Sequence, residues 1–337
     1  DRHFGPYLDG SAFAGSRRGE LPIEFMFTPF NLGWPADYTK WGEPGFKTEY
    51  KRILWEFLRH FEEKGWTKTV LEMMFNNKKE YRFFPTTQDE IWYFHDEEIV
   101  DQMYEIVKDT FEHSPVKMVM RADSSNNYGN HYEKYADVFG MWVAAMAMYS
   151  WFPESVLTMK NHRNILWIYG WYGEGMTIDL PLHAFLTQPM ICFMTGATGF
   201  CSFWNTLSWG KDYLKTPFVN GGQGFFYPGD GFHAGDVLPS LRMKVLRNQM
   251  QLADLMMTTE GLDVETPHPM RKELEEIVNQ CFGYQGMEDW WNEKPPYLNT
   301  PPRYWNFEDK SLKKNHYENQ SPILIDRLRN RVLDYLG

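Results

Sequence analysis

Cysteine is nearly missing from this chain. Three occur in 337 residues, Cys192, Cys201 and Cys281, and no two of them form a CxxC pair. An odd count without paired spacing excludes a disulfide framework and a zinc ribbon, so buried free thiols are the expected state. Long apolar runs are missing as well. The longest, Met141 to Phe152, falls short of the about 20 residues needed to span a bilayer. Positive charge is in deficit: 34 Lys and Arg stand against 45 Asp and Glu, a net of -11. Nucleic-acid binding rests on basic groups neutralising phosphates, so neither nucleic acid nor an anionic membrane surface is an expected partner. No secretory signal is read, and the chain begins at Asp1 rather than Met. A preceding segment and the compartment stay open, with a secreted or periplasmic location slightly favoured over a cytoplasmic one.

Familiar catalytic signatures are also absent. There is no HExxH, GxSxG or phosphate-loop motif, which disfavours zinc proteases, serine hydrolases and phosphate-loop NTPases. The glycines Gly221, Gly222 and Gly224 lead into "FFYPG" rather than a helix, and no glycine fingerprint follows the first strand. "HDEE" (95–98) reads as a helix start, since no histidine spacing supports a metal site. No cofactor and no metal are expected.

Aromatic residues are what the chain has in excess: 14 Trp, 19 Tyr and 25 Phe, 17% of the residues. Their plain use is to fill a core. Sugar rings also present apolar C–H faces that pack on aromatic planes, so an acidic chain rich in Trp and Tyr is a carbohydrate candidate.

Strand and helix patterns alternate. "PIEFMFTPF" (22–30) reads as a buried strand. In 45–65, Tyr50, Ile53, Leu54, Phe57, Leu58 and Phe61 recur at helical spacing, with Gly65 as the stop. Strands are predicted at 67–75, 116–123, 164–171 and 197–205, with a short strand and turn at 222–229; the apolar run at 140–148 is a strand candidate, with a buried helix as its alternative. Helices are predicted at 96–114, 131–139, 179–196 and 239–261. Apolar strands alternating with helices imply parallel strands and crossover helices. Seven or eight strands in this length suit a (β/α)8 TIM-type barrel; a doubly wound sheet is the alternative. The barrel is assigned to residues 1–261. Residues 262–337 are assigned to a C-terminal irregular and helical extension packed on the barrel, proline-rich at 293–306 and helical from Ser321.

In a barrel, chemistry gathers where the strands end. Glu72 and Asn76 share one face of their strand by the two-residue period. Asp89 and Glu90 stand in the long loop after it, in "FFPTTQDEI". Arg121 and Asp123 end the next strand, Trp171 and Glu174 follow the strand at 164–171, Trp204, Asn205 and Trp209 follow that at 197–205, and Tyr227 lies in the "YPG" turn. Acids, aromatics and amides on one face suit glycoside hydrolysis, in which one carboxylic acid protonates the leaving oxygen and a second group stabilises the sugar cation. Each residue also has a plainer reading. Adjacent acids are a common surface turn, Arg121 and Asp123 make a structural ion pair, Glu174 is a solvated loop acid, and tryptophans fill cores.

The order of "KKEYRFFPTTQDE", "VKMVMRADSS", "WIYGWY", "GATGFCSFWN", "GFFYPGDG" and "PSLRMKVLRN" resembles the catalytic domain of glycoside hydrolase family 123 and the related group of uncharacterised glycoside hydrolase-like proteins. The resemblance covers roughly residues 20–255. It implies a (β/α)8 barrel that cleaves terminal β-linked N-acetylgalactosamine with help from the sugar's own 2-acetamido group. Carried to this chain, it implies that Asp89 orients that group and Glu90 is the general acid/base. Asp123 matches a strand-ending aspartate, Tyr227 the tyrosine of the turn, and Trp204 a wall of the sugar site. The chain departs from the family pattern where Ile91 replaces the proline after Asp-Glu, where Gln223 stands near an acid, and in "NQMQLADLM" (248–256). These departures leave fold and hydrolase class as expectations and the sugar open. A substrate without an acetamido group would need Glu72, Asp123 or Glu174 as nucleophile or base. A barrel that binds glycan without cleaving it is the alternative of a different class, and a polysaccharide lyase a weaker third.

Overall fold

In a computed structural model, residues 1–32, 41–75, 94–124, 132–145, 159–169, 189–190, 192–193, 196–201, 225–258, 269–282 and 322–336 are described. Six strands form one sheet in the order of the sequence: β1 (Phe25–Phe27), β2 (Val70–Met74), β3 (Met118–Ser124), β4 (Met141–Ala145), β5 (Ile165–Tyr169) and β6 (Gly199–Phe200). The pairs β1–β2, β2–β3 and β5–β6 run parallel. Parallel neighbours need crossover connections, and helices stand between them in the chain: α1 (Gly5–Leu8) precedes β1, α2 (Phe46–Glu63) lies between β1 and β2, α3 (Phe94–His113) between β2 and β3, and α4 (Tyr132–Val138) between β3 and β4. This is an α/β fold of the kind the alternation implies.

Two expectations are corrected. "ATGFCSFWN" is not a full-length strand, since only Gly199 and Phe200 of its described part pair in the sheet. The strand in "FFYPG", β7 (Phe226–Tyr227), does not extend that sheet but pairs antiparallel with β8 (Leu238–Pro239). Among the described residues the sheet therefore has six strands rather than seven or eight. Gly229, in the 3-10 turn after β7, faces the backbone of Asp236 so closely that no Cβ could fit.

Clustering of contacts divides the chain into two compact units. The first takes Asp1–Trp142, Thr158–Asn164 and Tyr297–Trp305; the second takes Val143–Leu157, Ile165–Pro296 and Asn306–Gly337. In the first unit, α2 buries Phe46, Tyr50, Leu54, Leu58 and Phe61, the stripe that 3.6-residue periodicity requires. The Tyr50 hydroxyl reaches Met73 Sδ at 4.0 Å, so the Leu71/Met73 face of β2 is the one turned to this helix. The helix ends in a glycine-dependent cap. Gly65 is left-handed at φ 72°; its N–H donates to the Glu62 carbonyl at 2.9 Å and that of Trp66 to Phe61 at 2.9 Å. The Phe61 and Trp66 rings close the cap edge to face at 5.3 Å. Trp142, fully buried on β4, donates its indole N–H to Asn164 Oδ1 at 3.2 Å.

In the second unit, Pro189, Met190, Cys192 and Phe193 are helical, and Gly196 at φ 75° follows them. The helix α5 (Leu241–Thr258) shares one apolar core with α6 (Pro269–Phe282) and α7 (Pro322–Leu336). Leu252 and Met256 of α5, Leu274 and Ile277 of α6, and Leu328 and Val332 of α7 meet there. Arg271 of α6 lies over the Phe193 ring at 4.7 Å and donates to the Phe193 carbonyl at 3.0 Å. The helix α6 falls in the stretch expected to be irregular, and α7 begins where the Ser321-Pro322 start signal predicts.

Candidate functional site

The sequence brings three charged side chains to one face of two neighbouring strands. Parallel register pairs Glu72 with Val119 and Met74 with Arg121. Side chains in register share a face, and residues two apart on one strand share it too. Glu72, Arg121 and Asp123 therefore project together, opposite the face of β2 that carries Met73 toward α2. The Arg121 guanidinium donates from Nη1 to Glu72 Oε2 at 2.7 Å. It grips Asp123 with the two nitrogens of one edge, Nε to Oδ1 at 2.7 Å and Nη2 to Oδ2 at 3.0 Å. All three are buried, Glu72 at 3% exposure, Asp123 at 4% and Arg121 at 7%. A planar guanidinium is suited to this sharing, because its fixed fork serves two carboxylates at once.

The electrostatics are unequal. Burial pushes the Glu72 carboxyl above its ordinary value; Arg121 pulls the other way and does not fully offset it, while Asp123 adds repulsion. Burial also disfavours the charged guanidinium, but Asp123 and Glu72 outweigh it and hold Arg121 protonated. One cation thus serves two acids. Perturbed carboxyls of this kind gather at functional sites, and also in structural ion-pair networks.

Thr28, which sequence reading did not single out, completes the arrangement. It follows β1 and is fully buried; its N–H and hydroxyl both donate to the Glu72 carbonyl, at 2.9 and 2.8 Å. The backbone at Glu72 is held from β1 while its side chain is held from β3. A buried pair on neighbouring helices was also missed: the Tyr135 hydroxyl of α4 donates to Glu97 Oε2 of α3 at 3.2 Å. Glu97 belongs to "HDEE", which lies in the first turn of α3.

Of the residues predicted from sequence, the structure brings Glu72, Arg121 and Asp123 together. Tyr227 is half-buried on β7 in the second unit, its ring edge to face with Phe232 at 6.0 Å. Asp89, Glu90, Trp171, Glu174, Trp204 and Asn205 lie outside the described residues, as do Asn76 and Trp209. Among the described residues no helix is long and apolar enough to cross a membrane, and no three His, Cys, Asp or Glu side chains cluster as a metal site would need.

No family model matches the chain, and no curated protein matches it. The resemblance to glycoside hydrolase family 123 rests on the motifs quoted above.

Proposed function

We propose that this chain is a glycoside hydrolase built on a TIM-like α/β fold. It acts with retention on a β-linked 2-acetamido sugar, Glu90 serving as general acid/base and Asp89 orienting the acetamido oxygen that attacks. The observation that supports the reading most is the buried Glu72–Arg121–Asp123 cluster on β2 and β3 of a parallel α/β sheet. Function in such folds gathers at the carboxyl ends of parallel strands. In the chain, "QDE" comes after the carboxyl end of β2, and Asp123 stands next to the last residue of β3.

The same cluster weighs against a separate carboxylate nucleophile. Glu72 and Asp123 both spend oxygens on Arg121, so neither is a free base in this arrangement. In the proposed site Arg121 holds Asp123 in one orientation for a substrate hydroxyl. Trp171, Trp204, Asn205, Tyr227 and Glu174 supply the remaining walls and polar contacts in this reading. The partner is an oligosaccharide or polysaccharide, with neither cofactor nor metal in the scheme.

The test is hydrolysis of aryl β-glycosides with and without 2-acetamido groups by wild type and Glu90→Gln. Turnover is expected on the acetamido sugars alone, falling by about 10²–10⁴-fold in the variant, the usual contribution of a general acid. Full activity in the variant would remove Glu90 from the mechanism. Binding of glycans without turnover on any of them would favour a barrel that binds and does not cleave.

A further inference from the structure

Three neighbouring strands are tied to one another around Glu72. Between β1 and β2, two buried threonines act at opposite ends of the pair. The Thr69 hydroxyl donates to the Ile23 carbonyl at 2.7 Å, and the Thr28 hydroxyl to the Glu72 carbonyl at 2.8 Å. One bond runs from the β2 side to the β1 side and the other runs back, so the stagger of the two strands is fixed from both ends. Phe27 stands in register with Glu72, and the Thr28 N–H adds a second bond to the Glu72 carbonyl at 2.9 Å. One residue before Glu72, the Leu71 N–H donates to the Lys117 carbonyl at 2.9 Å, which ties the same backbone toward β3.

The Glu72 side chain passes this placement on to Asp123. Arg121 gives Nη1 to Glu72 Oε2 and gives Nε and Nη2 to the two oxygens of Asp123. A guanidinium is rigid and planar, so an oxygen fixed at Nη1 sets the rotation of the whole fork. The fork in turn sets the plane of the Asp123 carboxylate, because two parallel N–H···O bonds define a plane and one does not. Cohesion alone does not call for such an arrangement, since a buried ion network is often no more stable than an apolar set of similar volume. What it does supply is an aim. The aimed group stands next to the last residue of β3, and parallel α/β folds gather their chemistry at that end of the strands.

We infer that Glu72 is a positioning residue, braced by Thr28, that acts through Arg121 to set the direction in which Asp123 presents its carboxylate to a substrate hydroxyl. Glu72 itself does not touch the sugar. The inference rests on the glycosidase reading above, and it adds to the site one residue that follows β1 and one of β2 that govern the fit of the substrate without contact.

The test is kcat/KM for hydrolysis of nitrophenyl β-N-acetylgalactosaminide and β-N-acetylglucosaminide by the full chain, measured below the unfolding midpoint of each variant. Every variant leaves Arg121 at least one carboxylate, so none buries an unmatched cation. Glu72→Asp withdraws the oxygen from Nη1 and should lower kcat/KM by about tenfold, and Asp123→Asn by at least as much, since a hydrogen bond to a charged group is at stake. Glu72→Gln restores the reach without the charge and should recover most of what Glu72→Asp loses. In the Asp123→Asn background, Glu72→Asp should lower kcat/KM by less than about twofold further, the coupling expected of residues in one network. Thr28→Val removes only the hydroxyl tie and should show the same coupling with a smaller loss. Equal losses from Glu72→Asp in both backgrounds, a loss at Glu72→Gln as large as at Glu72→Asp, or unchanged kcat/KM in Asp123→Asn would each overturn the proposal while leaving Glu90 in its role. Absence of turnover in the wild type would instead overturn the glycosidase reading, and the proposal with it.

Discussion

The face shared by β2 and β3 and the cavity beside β5 and β6 solve opposite problems. The first takes three charges out of water and makes them tolerable by mutual pairing: Arg121 donates one hydrogen bond to Glu72 and two to Asp123, and Thr28 donates two more to the Glu72 carbonyl. The second surrounds an open space of about 420 Å³ with rings and thioethers, among them Trp167, Phe200, Phe225 and Met243. In the first, stability hangs on complementarity of charge, and removing any member strands the others. In the second it hangs on the fit of small residues. Mutations should therefore act by different mechanisms in the two regions, and their sizes should differ accordingly.

The largest effect should come from Arg121→Met. It leaves Glu72 and Asp123 buried beside each other with no cation, and losing one partner of a buried pair typically destabilises by about 3–5 kcal/mol. Urea unfolding should show this as a lower midpoint with an unchanged slope. Replacing all three residues, Glu72→Met with Arg121→Met and Asp123→Leu, should recover most of the loss, because an apolar set of similar volume carries no desolvation penalty. A triple variant as unstable as the single one would mean that shape rather than charge governs the site.

Gly199→Ala should come next, and by packing alone. Its new methyl group collides with Trp167, whose Nε1, Cε2 and Cδ1 all lie within 2.9 Å of the added carbon. Overpacking of this kind typically destabilises by about 1–3 kcal/mol. The effect should be the same at every pH between 5 and 8, unlike anything done to the charged cluster; a pH-dependent loss would break the contrast.

The pH dependence of the cluster itself gives a finer test. The Glu72 pKa is raised above its ordinary 4.5 in the folded chain. The folded state then holds its proton more tightly than the unfolded state. That contribution to stability is fully present below 4.5 and is lost as pH rises through the folded value. Glu72→Gln keeps an acceptor for Arg121 and cannot titrate. Wild type should therefore lose stability relative to this variant as pH is raised from about 4.5 toward neutrality. Parallel curves from urea midpoints over that range would show that Arg121 fully offsets burial at this carboxyl.

Much of this contrast was legible before any coordinates, and the part that was not has a physical reason. The strand and helix periods placed α2, α3, α4, α5 and α7 within a few residues of where they stand, because each buries one stripe or one face. The two-residue period put Glu72 on a single face of its strand, and the spacing of Arg121 and Asp123 allowed an ion pair. Their meeting with Glu72 depends on register, Leu71 opposite Met118, which nothing in either strand specifies alone. The helix α6 was hidden because its buried Met270, Leu274 and Ile277 are interleaved with charged residues in a stretch whose composition had turned polar. The cavity was invisible because it is defined by what is small, Ala197, Gly199 and Ala253, on elements far apart in sequence.

The smallest effect should come from a position that belongs to neither mechanism. Gly65 ends α2 at φ 72°, and nothing lies within 4 Å of where its Cβ would be. Gly65→Ala therefore creates no clash and strands no charge; it only places an L side chain in the left-handed region, at about 1 kcal/mol. The two hydrogen bonds of the cap and the Phe61–Trp66 ring contact give the chain a reason to keep that conformation rather than fray. Gly65→Asn should lose less, since a short polar side chain enters the left-handed region more readily. Urea midpoints ordered glycine, asparagine, alanine would show that backbone conformation alone carries the cap. A loss at Gly65→Ala as large as that at Gly199→Ala would mean that the end of α2 couples to the buried stripe from Phe46 to Phe61, and that the packing of the first unit is less local than its charged cluster.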